Sequence, residues 1–371
     1  MEPLDLLQAV SHPDPYPAYR TLREGPPVVF DPRLQAWIVT RAATIARALA
    51  TPALRVRPTA EPVPRPLVGT PCGEWFGQLV RMNDGPDRHG TPKAGLERAL
   101  AAVDLASVAG HARRAAAAVP WGPAWSFEVP VRAVAGLLGF DEALHADVAR
   151  WVGDLVSAIA PGAAADTLAR GQAAAGALSE RMAALLHTPA RAGSVVARVQ
   201  AADGLSQAAL RANLVGLLSQ THDATAGLLG NSLVALARGA DAGDLGAVVD
   251  ETMRFDPPVQ NTRRFAAEPV QLDGVDLPAG AAVLLVLGAA GRDPAFNPDP
   301  DTFRLERPDR RTLGFGWGPH ACPGSSIARA IAVAALAECW QETLRDSLRW
   351  GYRPSVNARI PVFERPGGGW R

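Results

Sequence analysis

The sequence has few cysteines, tyrosines and methionines, no net charge and no long unbroken apolar run. Its three cysteines, Cys72, Cys322 and Cys339, are scattered and form no C-x-x-C pair, which disfavours a disulfide framework and a zinc site. Lysine plus arginine total 37, as do aspartate plus glutamate, so neither nucleic acid nor an anionic membrane is implied as a partner. No stretch reaches the roughly 18 uninterrupted apolar residues of a membrane span. The start, Met1-Glu2-Pro3-Leu4-Asp5, has neither the basic nor the apolar region of a secretory leader. The expectation is a soluble, cytoplasmic monomer.

Apolar residues are plentiful, at 48 % of 371. That is ample for a core, and the length fits two or three domains or one large α-rich unit. The most informative stretch runs from Leu313 to Arg329. Gly314, Gly316 and Gly318 occupy alternate positions, which argues against helix and strand and for a tight loop that lets backbone approach a partner closely. The loop delivers Cys322. Pro323 then reads as the first position of an apolar helix through Leu336. A thiolate there would sit at a helix N-terminus, where unpaired N–H groups lower the thiol pKa. Three readings compete: a structural cysteine, a phosphate-cradling loop, and a loop holding an anionic sulfur ligand. The spacing fits neither G-x-x-x-x-G-K-[ST] nor a strand-led G-x-G-x-x-G.

The run Phe315-Gly316-Trp317-Gly318-Pro319-His320-Ala321-Cys322-Pro323-Gly324 matches F-G-x-G-x-[HR]-x-C-x-G at every fixed position. In this the chain resembles the bacterial cytochromes P450. The resemblance implies a mainly α fold with small β-sheets, the cytochrome P450 fold, as one domain over residues 1–371. The β regions fall near the N-terminus and after Pro258. It implies haem b, with the Cys322 thiolate as iron ligand, Phe315, Gly316, Gly318 and Gly324 as cofactor-binding residues of the loop, and Trp317 stacked near the proximal haem face. Pro323 offers no N–H to the sulfur, which implies a stronger donor and a lower reduction potential.

Other segments follow in family order. Tyr16 to Val39 reads as a short helix and a small hairpin. Residues 57–79 are proline-rich and irregular, a long loop of the kind that is functional. His89 and Lys93, four apart, share a helix face. The resemblance makes them propionate partners, with Lys93 where arginine is usual. Leu105 to about Leu205 reads as several Ala/Leu helices.

Ala209 to Ala237 reads as one long helix with a polar centre, Ser219-Gln220-Thr221-His222-Asp223-Ala224-Thr225. Such a centre must face a cavity, water or a ligand. The family carries an acid followed by threonine here, to relay protons to dioxygen. Aligned on Asp223, this chain has Ala224 instead. Thr221 lies on roughly the same face one turn back, and Thr225 lies about 100° further round. Either of these with water, or a substrate hydroxyl, replaces the threonine, or the reaction needs no relay.

Glu251 and Arg254 form the family's E-x-x-R, and Arg307 is the expected third member of a triad bracing the cysteine loop. Arg264 is the expected propionate ligand, with Arg263 as the alternative, and His320 joins the propionate set. Gln220, Val259, Gln260 and Asn261 are expected substrate contacts. The function implied is a monooxygenase tailoring a small natural product, with electrons from a ferredoxin and its reductase. Arg98, Arg310 and Arg311 are docking candidates, and a carrier protein is a further partner. Ala224 raises two alternatives: oxidative coupling or cyclisation without oxygen insertion, and a catalytically silent haem-binding scaffold.

Overall fold

A computed structural model of the chain describes residues 6–190, 194–201 and 204–364. Helices dominate, and the organising one is Gln207–Ala237. Ser206 starts it, its hydroxyl accepting from the Ala209 N–H at 3.1 Å, an N-cap worth roughly 1 kcal/mol. Leu210, Leu214, Val215 and Leu218 join one apolar cluster with the helices Trp125–Leu138, His145–Ala158 and Ala165–His187. Leu228, Leu229, Leu233 and Leu236 join a second, with Leu245–Phe255 and Ser325–Cys339. Each such leucine contributes roughly 1.5–3 kcal/mol by leaving water. The polar centre falls at the seam between the two clusters, where apolar packing is interrupted.

The strands β1 (Val28–Asp31), β2 (Ala36–Val39), β3 (Leu54–Arg55) and β4 (Thr262–Ala266) join a fifth, Ala282–Leu285, in one sheet. Hairpins Val270–Leu272/Val275–Leu277 and Trp350–Tyr352/Pro361–Phe363 stand apart. In the main sheet β2 and β4 flank Ala282–Leu285, β2 parallel to it and β4 antiparallel. The pleat of β4 decides between its two arginines: Arg264 points inward and is buried, whereas Arg263 is exposed.

The irregular stretch expected at 57–79 is more ordered than its prolines suggest. Pro71–Gly77 is a helix, with Thr70 accepting from the Gly73 N–H at 3.2 Å. Its Trp75 indole donates to the Ala212 carbonyl of the long helix at 3.0 Å. Proline in the first turn starts this helix rather than breaking it. Among the described residues no helix is long and apolar enough to cross a membrane.

Candidate functional site

The cysteine loop is bent by Gly316 and Gly318, at φ of 75° and 64°, a region open to glycine at little cost. The bend is closed by the Gly316 N–H to the Leu313 carbonyl and the Cys322 N–H to the Phe315 carbonyl, both 2.8 Å. Thr312 fastens the loop to the helix beneath, donating to the Met253 carbonyl at 2.9 Å. Gly314 lies so close to Met253 and Pro257 that a side chain would collide with them. The following helix begins at Ser325, with Gly324 as its cap, two residues later than expected. Pro323 therefore precedes the helix, and the sulfur is not left without a donor, because the Gly324 N–H reaches it.

Cys322 is accessible to solvent, yet its sulfur is hemmed in by protein. Both hold for a group that lines an internal cavity. Burial raises its thiol pKa, outweighing Gly324, Arg81 and Lys93, which all act to lower it. The expected lowering is thus reversed for the free thiol. A metal ion would overturn that balance, since a coordinated thiol is deprotonated outright.

Cationic side chains gather round this cavity. His89 and His320 stack with ring centroids 3.9 Å apart, and His320 Nε2 lies 3.2 Å from Asp84 Oδ1. His89 sits in a π-helical turn, Pro86–Gly90, and Lys93 in the helix Thr91–Ala101 that follows. Pro92 is accommodated in the first turn of that helix. Lys93, the only lysine in the chain, is buried and 2.7 Å from Glu97 Oε1. Burial lowers the His89 pKa to about 4, helped by His320 and Lys93, and its Nε2 is buried with no partner. Burial likewise lowers Arg264 to about 10. Trp317, by contrast, is 51 % exposed on the loop surface. A buried imidazole nitrogen with nothing to bond, beside a buried lysine and arginine, suits a carboxylate. These residues and Cys322 fit a haem carried on sulfur with its propionates toward His89, Lys93 and Arg264.

The long helix presents its polar centre in several directions. His222 points into the packing, 5.2 Å from the Phe127 ring centroid. Its Nδ1 lies 2.7 Å from Asp223 Oδ1, and Arg353 donates to Asp223 Oδ2 at 2.6 Å. Burial pushes the Asp223 carboxyl upward, but His222 and Arg353 outweigh it and hold it below the usual range. Thr225 is only 2 % exposed, off the open face. Leu217, Gln220, Thr221 and Ala224 remain partly exposed at the spacing of a single helical stripe. Gln260 is 0 % exposed, its amide bound to the Pro257 carbonyl at 2.7 Å. Asn261 is buried and bonded to the Val356 carbonyl at 2.9 Å. Both are taken up by the framework and cannot offer their side chains to a substrate. Val259 bridges Ala358 and is partly exposed.

Beneath the loop, Arg254 grips Glu251 through two bonds, Nη2–Oε1 at 2.6 Å and Nε–Oε2 at 3.0 Å. Arg307 Nε reaches Oε1 at 3.3 Å. The three residues chosen from the sequence therefore meet. Arg310 joins them at 2.9 Å from Oε2, which removes it from the docking candidates. Arg254 and Arg307 also share the Thr302 carbonyl, tying the 291–307 segment to the helix below it. Arg81 was missed by sequence reasoning. It sits in no motif, and its place in the cavity depends on tertiary contacts.

A cysteine in a glycine-bent loop, beneath a long helix and ringed by carboxylate-seeking cations, defines a haem-thiolate protein. The cytochrome P450 family model matches residues 245–342. The vitamin D(3) 25-hydroxylase of Pseudonocardia autotrophica is 30 % identical, the match covering 98 % of this chain and 96 % of that protein. Cytochrome P450 107B1 of Saccharopolyspora erythraea is 31 % identical, over 66 % of this chain and just 64 % of that relative's length. The structure of P450BioI in complex with an acyl carrier protein ligated to hexadec-9Z-enoic acid superposes with a TM-score of 0.79 at 25 % identity, covering 94 % of this chain and 98 % of that one. The chain belongs to the cytochrome P450 family, whose prosthetic group is haem held by a cysteine thiolate.

Proposed function

We propose that this chain is a monooxygenase that inserts oxygen into a small, largely apolar molecule of natural-product type, using dioxygen and electrons from a separate ferredoxin and its reductase. The observation that carries the reading is the Cys322 sulfur, open to a cavity and fixed by the Thr312–Met253 and Gly324 contacts. A haem bound through thiolate supplies electron-rich iron that favours O–O cleavage. Glu251, Arg254, Arg307 and Arg310 hold the segment that carries the loop. Arg264, His89, Lys93 and His320 orient the cofactor through its carboxylates, by charge-assisted bonds.

On the opposite side Thr221 replaces the missing threonine at Ala224, moving a proton at its hydroxyl, with the ionised Asp223 carboxylate behind it as the group that takes up each proton and passes it on. Gln220, whose amide lies back over Gly216, and Val259 orient the substrate. The P450BioI complex supports a carrier protein as the vehicle for such a substrate. Ala224 favours one second reading, oxidative coupling or ring closure with no oxygen inserted. The reduced carbon-monoxide spectrum, read with a substrate-induced spin shift, tests for a working enzyme. A product heavier by one oxygen supports insertion, and one lighter by two hydrogens supports coupling. A thiolate signature with no spin shift and no product, across a screen of small apolar molecules, would leave the scaffold role.

A further inference from the structure

Arg81 belongs to no motif, yet its surroundings are specific. It lies in the short helical turn Val80–Met82, which Asn213 clamps to the long helix. Asn213 Oδ1 accepts from the Val80 N–H at 3.0 Å, and its amide donates to the Gln78 carbonyl at 3.0 Å. Like Cys322, Arg81 is accessible to solvent while protein encloses its guanidinium. Its charge acts on the Cys322 sulfur, so the two side chains face the same space. Its charge also reaches Arg264, so two guanidiniums face one enclosed space.

Among the described residues neither arginine forms an ion pair. Asp84 acts on Arg264 at a distance, but its oxygens are bonded to His320 and the Val56 N–H, and Glu97 is taken by Lys93. Two like charges in a confined space repel strongly, and enclosed guanidiniums call for an anion that both can grip. The molecule supplying it must also reach the sulfur.

We propose that Arg81 is a carboxylate-binding residue of the cofactor site: with Arg264 it brackets one porphyrin propionate, leaving the other to His89, Lys93 and His320. This rests on the haem-thiolate reading. Arg81 would then couple the long helix, through Asn213, to the edge of the cofactor.

The test is haem transfer from ferric holoprotein to excess apomyoglobin, for wild type, Arg81→Gln and Arg81→Lys. Arg81→Gln should release haem roughly ten- to a hundredfold faster, the factor for one lost hydrogen bond to a charged group. It should keep the thiolate carbon-monoxide band, and Arg81→Lys should recover much of the retention. Reconstitution with haem dimethyl ester, which lacks anionic carboxylates, should make wild type and Arg81→Gln equally leaky. Unchanged retention in Arg81→Gln, or a gap that persists with the ester, overturns the assignment. So does a variant that holds haem normally but loses the spectral response to carboxylate-bearing ligands, which would make Arg81 a substrate contact. A wild type lacking the thiolate band removes the haem-thiolate reading, and this proposal with it.

Discussion

Arg353, just after the strand Trp350–Tyr352, donates to Asp223 at 2.6 Å across 130 positions of sequence. The acid of the long helix is thereby tethered to a different part of the fold. Replacing Arg353 by methionine removes one of the two groups that hold the carboxyl low, so the Asp223 pKa rises. Asp223 must be ionised to accept a proton, so the acid limb of the turnover–pH profile moves to higher pH. The pair is partly exposed, so solvent screening keeps the shift small. An acid limb that stays in place in Arg353→Met would mean Asp223 is not the group being titrated.

Thr221 and Thr225 separate on exposure: Thr221 shares the partly open stripe with Ala224, and Thr225 is buried. Thr221→Ala should lower product formation roughly a hundredfold, the lower end of the range for losing a positioned proton donor, and raise peroxide release per electron consumed. Thr225→Ala should lower the melting temperature and leave coupling unchanged. Product and peroxide assays on the same preparations decide between them. Equal loss of coupling in both variants would favour a path through water rather than one hydroxyl.

The cysteine loop, the Glu251–Arg254 pair and the long helix were legible in the sequence because each depends on local spacing, whereas Arg307, 56 positions from Glu251, was expected only from the family resemblance. Glycine at alternate positions forces a turn, and i, i+3 charges share a helix face. Arg264 over Arg263 became clear only with the pleat of β4, since a one-residue slip exchanges the two faces. Gln260 and Asn261 read as substrate contacts because their segment adjoins the cavity in the family. The structure gives both side chains to backbone carbonyls instead. Arg310 looked like a surface charge because nothing local shows that Glu251 Oε2 can accept from two arginines. Arg81 was invisible for the same reason, since its position depends on Asn213, 132 residues later.

His89 offers a test on the cofactor side. Its imidazole is neutral near pH 7, with a pKa of about 4 caused first by burial, and its free Nε2 suits a bond to a carboxylate as the N–H tautomer. His89→Phe keeps the stacking on His320 but removes that donor. The variant should lose haem several-fold faster than wild type while His89→Gln falls between them, measured by transfer to apomyoglobin. Equal rates in all three proteins would remove His89 from the propionate set.

Glu251 gathers Arg254, Arg307 and Arg310, so its loss should be felt beyond one bond. Burial acts to raise its pKa, but the bonds from Arg254, the Arg304 N–H and Arg310 prevail and hold the carboxyl below its usual value. A carboxyl whose pKa is lower folded than unfolded contributes its stability fully above the unfolded value of about 4.3. It loses that contribution as pH falls through the folded value. Glu251→Gln leaves the buried Arg254 charge without its counter-ion, a change that costs about 3–5 kcal/mol when one member of a buried pair is removed. Urea unfolding of the holoprotein at pH 7 should show that loss, accompanied by weaker Cys322 ligation, because the segment from Pro298 to Thr312 is then poorly held. Below about pH 4.3 the difference between wild type and variant should narrow, since the unfolded wild-type carboxyl takes up its proton there and the stabilisation is progressively lost. A difference that stays constant from pH 7 to pH 3 would mean that the geometry of the cluster, rather than the charge on Glu251, holds the loop in place.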